Sequence, residues 1–256
     1  MLTAMTRLAG KVAIIAGGAG GIGSATSLRV ASEGAAVVVA DLNLAEAERV
    51  AGLIRDRGGN AVACPLDLGD AVSISGLFDY AADRFGGVDL LHCNGATTGQ
   101  ATQDLDVLET SVEAWEHTLR INLTGYFLCT KFAIPRMLER SGGSIVYTSS
   151  GAAFFSDTTR IGYSVAKTGI HGLMRHVALR WGKEGIRANA IAPGLVLTPA
   201  AAEIPQVALD AILDRSSSTR LGKAEDIAAM VAMLFSPDGE WINGQAIGID
   251  GGYYMR

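Results

Sequence analysis

Short apolar runs alternate with longer segments of helical periodicity along almost the whole chain, and this alternation restricts the folds that it can adopt. Each run is apolar on both faces, which is typical of strands buried in a parallel sheet. The predicted strands are Val12–Ala16, Ala36–Ala40, Ala61–Cys64, Leu90–Cys93, Ser144–Thr148, Arg187–Ile191 and Ala246–Ile249. The predicted helices are Gly21–Ser32, Leu44–Arg57, Val72–Phe85, Val112–Arg140, Tyr163–Trp181 and Ala224–Phe235. This order predicts an α/β, doubly wound Rossmann-type fold, with a mostly seven-stranded parallel sheet, helices on both faces and ligands at the carboxyl ends of the strands.

The length of 256 residues fits one large α/β domain. The sequence has no internal repeat, low-complexity tract or linker that would divide it. Residues 1–256 are therefore predicted to form a single dinucleotide-binding catalytic domain, with residues 1–9 as a flexible N-terminal extension. The polar stretches Thr97–Thr110 and Thr198–Thr219 are predicted to be loops or short helices at the ligand-binding edge, where they are candidates for covering a substrate.

Composition argues against several classes of protein. Hydrophobic residues make up 49% of the chain and charged residues 18%, as in a globular protein. The net charge of -5 gives no reason to expect nucleic acid as a partner, and no apolar stretch is long enough to span a membrane. Three widely spaced cysteines without a CxxC pair, and histidines without metal-ligand spacing, suggest reduced thiols and no metal site. We therefore expect a soluble, cytoplasmic protein.

A glycine-rich stretch, Gly17-Gly18-Ala19-Gly20-Gly21-Ile22-Gly23, joins the first predicted strand to the first predicted helix. Glycines let the backbone turn tightly and approach a pyrophosphate, whose charge then lies at the N-terminus of the helix. The strand before the stretch and the helix after it make a dinucleotide-binding loop more specific than glycine alone would. The alternative is a plain turn.

Two acidic residues follow predicted strands. Asp41 ends the second strand, 18 residues after Gly23, where a carboxylate can accept hydrogen bonds from an adenosine ribose and would repel a 2′-phosphate. NAD is therefore favoured over NADP, and the alternative is that Asp41 only caps the next helix. Asp67, followed by Leu68, ends the third strand. It either accepts a hydrogen bond from the adenine amino group or is a turn residue.

A possible catalytic set lies further along the chain. Tyr163 and Lys167 are four residues apart at the start of a predicted helix, so that their side chains share one face. A phenol with a pKa of about 10 is a poor base at neutral pH, but a neighbouring ammonium favours the phenolate. Ser150 ends a strand thirteen residues before Tyr163, where its hydroxyl would polarise a carbonyl. Asn122 lies inside a predicted helix, and the alternative for it is a helix-surface position.

These motifs resemble those of the classical short-chain dehydrogenase/reductase family, and the resemblance covers the chain from Lys11 to Gly252. The Gly-xxx-Gly-Ile-Gly pattern of that family matches Gly17, Gly21, Ile22 and Gly23. Its Tyr-xxx-Lys pair matches Tyr163 and Lys167, its upstream serine matches Ser150, and the asparagine of its fourth helix matches Asn122. Two positions depart from the family pattern, because Ala16 replaces a threonine and Cys93-Asn94-Gly95-Ala96 replaces Asn-Asn-Ala-Gly.

The resemblance implies a role for each matched residue. Tyr163 would be the general acid/base, and Ser150 would orient and polarise the substrate oxygen. Lys167 would lower the pKa of Tyr163 and hold the nicotinamide ribose, and Asn122 would hold a water in a proton relay. Asn94 would line the adenosine side of the cofactor, while Pro193, Gly194 and Thr198 resemble the segment that touches the nicotinamide carboxamide. The resemblance also implies a homo-oligomer, a tetramer or dimer.

The leading functional hypothesis is an NAD(H)-dependent oxidoreductase that interconverts a small-molecule secondary alcohol and a ketone. Phe154 and Phe155 are predicted to wall the substrate pocket, and Arg160 to meet an anionic group, with a solvent-facing Arg160 as the alternative. Two other functions stay open. The chain could be a non-catalytic dinucleotide-sensing protein on the same fold, or a reductase of an activated double bond.

Overall fold

A computed structural model describes residues 6–98, 103–155 and 158–255. Its strands, in chain order, are β1 (Val12–Ala16), β2 (Ala36–Asp41), β3 (Asn60–Pro65), β4 (Leu90–Cys93), β5 (Gly143–Thr148), β6 (Ile186–Pro193), β7 (Val196–Leu197), β8 (Gly222–Lys223) and β9 (Ala246–Ile249). Seven of them form one sheet in the order β3-β2-β1-β4-β5-β6-β9, and all of its strand pairs are parallel. The predicted seven-stranded, doubly wound sheet is confirmed.

Helices cover both faces of this sheet. They are α1 (Gly21–Ser32), α2 (Leu44–Asp56), α3 (Ala71–Phe85), α4 (Val112–Leu119), α5 (Gly125–Glu139), α6 (Ile161–Trp181), α7 (Gln206–Arg215) and α8 (Ala224–Phe235). Successive strand residues point to opposite faces. Ile14 of β1 therefore lies in the core beneath α3, α5 and α6, while the next residue, Ile15, lies in the core beneath α1, α2 and α8.

The predicted helix Val112–Arg140 is divided in the structure. A π-helical segment, Arg120–Thr124, separates α4 from α5. Asn122, at its centre, is fully buried. Its side-chain nitrogen donates a hydrogen bond to the backbone oxygen of Thr118, four residues earlier. Periodicity alone does not reveal this change, because a π segment keeps helical backbone while shifting the hydrogen-bond partners by one residue.

The N-terminal extension is shorter than predicted. Leu8 is only 1% exposed, and its amide donates to the backbone oxygen of Glu33. Arg7 donates to both carboxylate oxygens of Glu33, at 2.8 and 2.7 Å, and also pairs with Asp238. The flexible extension predicted for residues 1–9 is therefore wrong at Arg7 and Leu8, and its first five residues lie outside the described part of the chain.

The segment Thr198–Thr219 holds a helix, as predicted. It contains α7, and the parallel pair of β7 and β8 lies at its two ends. Sequence reasoning missed this pair, because two-residue strands carry no periodic signal. In the described residues, none of the helices is both long and apolar enough to cross a membrane.

Candidate active site

The glycine-rich stretch forms a tight loop between the ends of β1 and β4. Gly17 has a φ of +82°, and a Cβ placed on it would collide with the backbone of Gly95. A Cβ on Gly23 would collide with the carbonyl oxygen of Gly17. Both positions therefore require glycine, the first for its backbone conformation and the second for close packing of α1 on the loop. A Cβ on Gly95, one of the departures from the family pattern, would lie 2.8 Å from a side-chain carbon of Leu68 and 3.3 Å from the Cα atom of Gly17.

The loop opens onto a cleft of about 770 Å³ at the carboxyl edge of the sheet, which we call the first cleft. The N-terminus of α1 faces it, and the N-cap residue Gly20 has no side chain to bond the first amide groups of the helix. Such free amides attract an anionic group. The predicted cofactor residues that line this cleft are Gly17, Gly21, Ile22, Asp41, Asp67, Leu68, Asn94, Tyr163, Lys167 and Thr198. Gly23 lies behind the loop, and Pro193 and Gly194 line a neighbouring cleft instead.

Asp41 holds the glycine loop at the end of β2. One carboxylate oxygen accepts from the amide of Ala19 at 3.0 Å, and the other accepts from the amide of Asn43 at 3.1 Å. The N-cap of α2 is Asn43, which accepts from the amide of Glu46. The alternative role of Asp41 as the cap of this helix is therefore wrong. Lys167 is the only Lys or Arg among the described residues that line this cleft.

Asp67 is both a turn residue and part of the cleft wall. Its carboxylate accepts a hydrogen bond from the amide of Gly69 at 2.7 Å. Leu68, beside it, is buried and packs near Gly95. The hydrogen bond from Gly69 fits a turn residue, and the position of Asp67 on the cleft wall fits a contact with adenine. Both alternatives therefore stay open.

Tyr163, Lys167 and Ser150 come together where α6 begins beside the end of β5. Ser150 lies near enough to Tyr163 for its hydroxyl to act on the phenol, and it acts to lower the pKa of Tyr163. Lys167 is 1% exposed, and its ammonium donates to the backbone oxygen of Thr148 at 2.8 Å. The Nζ atom lies 5.4 Å from the ring centroid of Tyr163. The set predicted from the sequence therefore shares one location at the carboxyl edge.

Burial shifts the pKa values of both members of the Tyr-xxx-Lys pair. It lowers the pKa of Lys167 to about 7, against a smaller opposing effect of Cys93. It raises the pKa of Tyr163, while Ser150 and the charge of Arg160 act to lower that pKa. Desolvation of the phenolate therefore outweighs the groups that act to lower the pKa of Tyr163, and the predicted effect of Lys167 on that pKa stays a prediction.

Asn122 is fully buried, so the alternative of a helix-surface position is wrong. Its side-chain oxygen accepts from the amide of Thr97 at 3.2 Å, and its side-chain nitrogen donates to the carbonyl of Thr97 at 3.0 Å. These two bonds hold the segment that follows β4 against the π-helical turn. Asn122 therefore fixes the wall of the first cleft, which Thr97 lines.

Sequence reasoning missed a buried polar chain behind the cleft. The Thr148 hydroxyl donates to the side-chain oxygen of Asn94 at 3.1 Å, and Asn94 donates to the carbonyl of Gly17 at 3.0 Å. The Nε2 atom of His92 lies 2.8 Å from the same Thr148 hydroxyl, and burial lowers the pKa of His92 to about 3. Neutral His92 therefore donates to Thr148, and the chain connects β4 and β5 to the glycine loop. The signal in the sequence that could have revealed this chain was the presence of polar residues at the ends of β4 and β5.

A second cleft, of about 700 Å³, adjoins the first. The predicted residues that line it are Ser150, Phe155, Arg160, Pro193 and Gly194. Phe154 does not line it and packs on His171, with ring centroids 4.7 Å apart, so its predicted role as a pocket wall is wrong. The residues that sequence reasoning missed include Ile212, Arg215, Tyr253 and Tyr254. Because Tyr163 lines the first cleft and Ser150 the second, this neighbouring pair lies at the junction of the two clefts.

Known proteins resemble this chain over nearly its whole length. A family model described as enoyl-(acyl carrier protein) reductase matches residues 17–254. A Bradyrhizobium diazoefficiens protein named "probable short-chain type dehydrogenase/reductase" is 39% identical, over 97% of this chain and 89% of that protein. The cis-4-hydroxycyclohexanecarboxylate dehydrogenase of Sinomonas cyclohexanicum is 37% identical, over 95% of this chain and 96% of that enzyme. A solved 7α-hydroxysteroid dehydrogenase, complexed with NADH and 7-oxo glycochenodeoxycholic acid, is 31% identical and superposes with a TM-score of 0.92, over 98% of this chain and 97% of that one.

Proposed function

Because this chain belongs to the short-chain dehydrogenase/reductase family, we propose that it is an NAD(H)-dependent oxidoreductase that interconverts a secondary alcohol and a ketone. The observation that carries the proposal is that Ser150 and Tyr163 lie next to each other at the junction of two clefts, with the serine lining one cleft and the tyrosine lining the other. A phenol at such a junction can exchange a proton with a substrate oxygen in the second cleft while a cofactor occupies the first. Residues 1–256 act as one catalytic domain in this proposal.

The first cleft fits a dinucleotide. The Gly17 turn lets the backbone approach a pyrophosphate, and the amide groups at the start of α1 are free to bind its charge. Asp41 faces the same cleft with a carboxylate that favours a ribose hydroxyl over a 2′-phosphate. The NADH in the similar hydroxysteroid dehydrogenase supports the assignment. When bound, NAD(H) supplies or accepts the hydride.

The roles of the cofactor residues follow from their positions. Asn94 shapes the glycine loop, while Asp67 and Leu68 line the adenine side of the first cleft. Thr198 packs on Gly21 and covers this cleft, and Pro193 and Gly194 lie toward the reacting end, next to Ser150. Gly21 and Ile22, in the first turn of α1, also line the first cleft and leave room there for the cofactor.

The catalytic residues divide the proton chemistry between them. The Tyr163 phenol donates its proton to the ketone oxygen in reduction and takes the alcohol proton in oxidation. The Ser150 hydroxyl orients and polarises the same oxygen. Lys167, held by the backbone oxygen of Thr148, places its amino group beside the phenol and binds the nicotinamide ribose. Asn122 supports a proton path to solvent next to Thr97.

A second function, reduction of an activated carbon–carbon double bond, is favoured by the description of the matching family model as an enoyl reductase. The same phenol would then donate its proton to an enolate.

A non-catalytic sensor is the third possibility. It would not need Asn122, Ser150, Tyr163 and Lys167 together, and the assembly of all four argues against it.

We also propose a cytoplasmic homo-oligomer, a tetramer or dimer. Large apolar side chains are exposed along α4, α5 and α6, among them Val112, Phe127, Val165 and Leu179. Exposed apolar surface of this kind is typical of a subunit interface. Cys64, Cys93 and Cys129 are free thiols, in keeping with a reducing compartment. Sedimentation velocity of the purified protein tests the oligomeric state, and a monomer at micromolar concentration would contradict it.

A substrate panel tests the proposed reaction. Purified protein is mixed with NAD and cyclic or linear secondary alcohols, or with NADH and the matching ketones or a conjugated enone, and nicotinamide absorbance is followed. Turnover of alcohols and ketones supports the leading function. Turnover of the enone alone favours double-bond reduction, and turnover of nothing despite cofactor binding supports the sensor.

A further inference from the structure

The second cleft has a row of aromatic rings along one wall. The row begins with Phe155, whose ring packs on Gly151, the residue after Ser150, so closely that a Cβ there would lie 2.6 Å from it. Phe155 stacks on Tyr254, with ring centroids 3.9 Å apart and planes inclined by 16°. Tyr254 meets Tyr253 edge-on, with centroids 4.5 Å apart. The wall therefore offers a continuous apolar surface that starts beside the proposed reacting centre.

The guanidinium of Arg215 lies at the other end of this row. Its Cζ atom is 4.9 Å from the ring centroid of Tyr253. Arg215 is the last residue of α7, its side chain is exposed, and it lines the second cleft. An arginine that packs over an aromatic ring keeps its N–H groups, which lie in the plane of the guanidinium, available to an acceptor.

The other charged groups of this cleft are already engaged. Asp226 accepts two hydrogen bonds from Arg220, at 2.7 and 2.8 Å, and these bonds help lower the pKa of Asp226 to about 2. The carboxylate of Asp250 accepts from two backbone amides, those of Gly252 and Tyr254.

Arg160 and Arg215 lie at different places in the cleft. Arg160 is at the catalytic end, with its Cζ atom 5.7 Å from the ring centroid of Tyr163. Arg215 forms no ion pair with any carboxylate of residues 6–98, 103–155 or 158–255. The cleft therefore combines a proton-transfer end, an apolar wall and, away from the reacting centre, a cation that is available to an anion.

We propose that the second cleft selects a secondary alcohol or ketone whose apolar carbon skeleton carries a carboxylate remote from the reacting carbon, with Arg215 binding that carboxylate. This substrate class rests on the proposed function, which places the reacting oxygen at Ser150 and Tyr163. The skeleton lies along Phe155, Tyr254 and Tyr253. The planar guanidinium matches a carboxylate with two parallel hydrogen bonds, which a neutral amide cannot reproduce.

The test is calorimetric titration of the NADH-saturated protein with cyclohexanecarboxylate and, separately, with the neutral cyclohexanecarboxamide. We expect the wild type to bind the carboxylate about five- to ten-fold more tightly, because the pair is partly exposed to solvent. The Arg215→Gln variant should bind both probes equally, and Arg215→Lys should keep part of the preference. Arg84→Gln is the matched control, since Arg84 is also an exposed basic residue in the last turn of a helix, α3, but lines neither cleft. It should retain the full preference.

The two proposals fail in different ways. Equal binding of the two probes by the wild type, binding of neither, or a preference that survives in Arg215→Gln would overturn the carboxylate site. If the panel nevertheless shows NAD-dependent oxidation of a neutral alcohol, the proposed function stands without it. If no alcohol or ketone is turned over by the wild type, the proposed function fails, whatever the titration gives.

Discussion

The two clefts at the carboxyl edge of the sheet are built in different ways. The first is made of strand ends and a helix N-terminus, and backbone contacts such as Gly17 against Gly95 fix its shape. The second is made of residues from the segment between β5 and α6, the end of β6, α7, the start of α8 and the C-terminal segment, with aromatic rings stacked on one another. A cleft shaped by backbone contacts suits a cofactor that many enzymes share. A cleft lined by side chains can change its substrate preference through a few substitutions. The neighbouring pair of Ser150 and Tyr163 lies between the two clefts.

The largest effect is expected at that junction. Tyr163→Phe keeps the ring but removes the hydroxyl, so kcat should fall by about a hundred- to ten-thousand-fold. Binding of NADH should stay within about two-fold of the wild type, since the glycine loop is untouched. Steady-state turnover and a fluorescence titration measure the two quantities. Activity that survives the substitution would remove Tyr163 from its acid/base role.

The pH dependence of the two directions is the next largest effect. Burial raises the pKa of Tyr163, so the phenol is mostly protonated at neutral pH. Alcohol oxidation needs the phenolate, and below the pKa its fraction rises about ten-fold per pH unit. We therefore expect kcat/KM for oxidation to rise between about pH 7 and 9, and kcat/KM for ketone reduction to stay nearly level. A level oxidation profile would show that another group takes the proton.

Gly17→Ala tests whether backbone contact shapes the first cleft. The new Cβ would meet the backbone of Gly95, and φ is +82°. We expect the free energy of unfolding to fall by about 1–3 kcal/mol, with weaker NADH binding. Gly20→Ala is the matched control in the same loop, because φ there is -69° and a Cβ would have no neighbour within 4 Å. Thermal and denaturant unfolding compare the two, and equal stabilities would contradict the account.

The smallest effect is expected at Asp41. Asp41→Asn keeps an oxygen that can accept from the Ala19 amide but removes the charge. The preference for NADH over NADPH should fall by about ten-fold, because a neutral amide no longer repels the 2′-phosphate. Asp67→Asn, on the same cleft, should leave the preference unchanged. Paired dissociation constants measure the preference, and an unaltered ratio in Asp41→Asn would place cofactor selection elsewhere.

The contrast between the clefts also explains what the sequence could predict. The glycine loop, Asp41 and the Tyr163–Lys167 pair are local patterns. The first two follow strands that end at one edge of a parallel sheet, and the pair lies at the start of the helix that follows β5. Their meeting was therefore predictable. The wall of the second cleft was not, because Arg215 and Tyr253 are far from Phe155 in the chain and meet only through tertiary packing.

Two further misses also have causes that lie outside the local sequence. The π-helical turn at Asn122 depends on side-chain bonds to Thr97 and Thr118 that periodicity does not encode. The pKa of Tyr163 depends on how deeply the phenol is buried, which no spacing of residues reveals.

The most direct test of the central claim is a titration of the purified wild-type protein with NADH and with NADPH, side by side, followed by nicotinamide fluorescence. The claim is that the first cleft binds NAD(H) and that Asp41 excludes the phosphorylated cofactor. The account predicts saturable binding of NADH, with NADPH at least about ten-fold weaker. A preference for NADPH would contradict the role of Asp41, and binding of neither would contradict the assignment of the cleft itself.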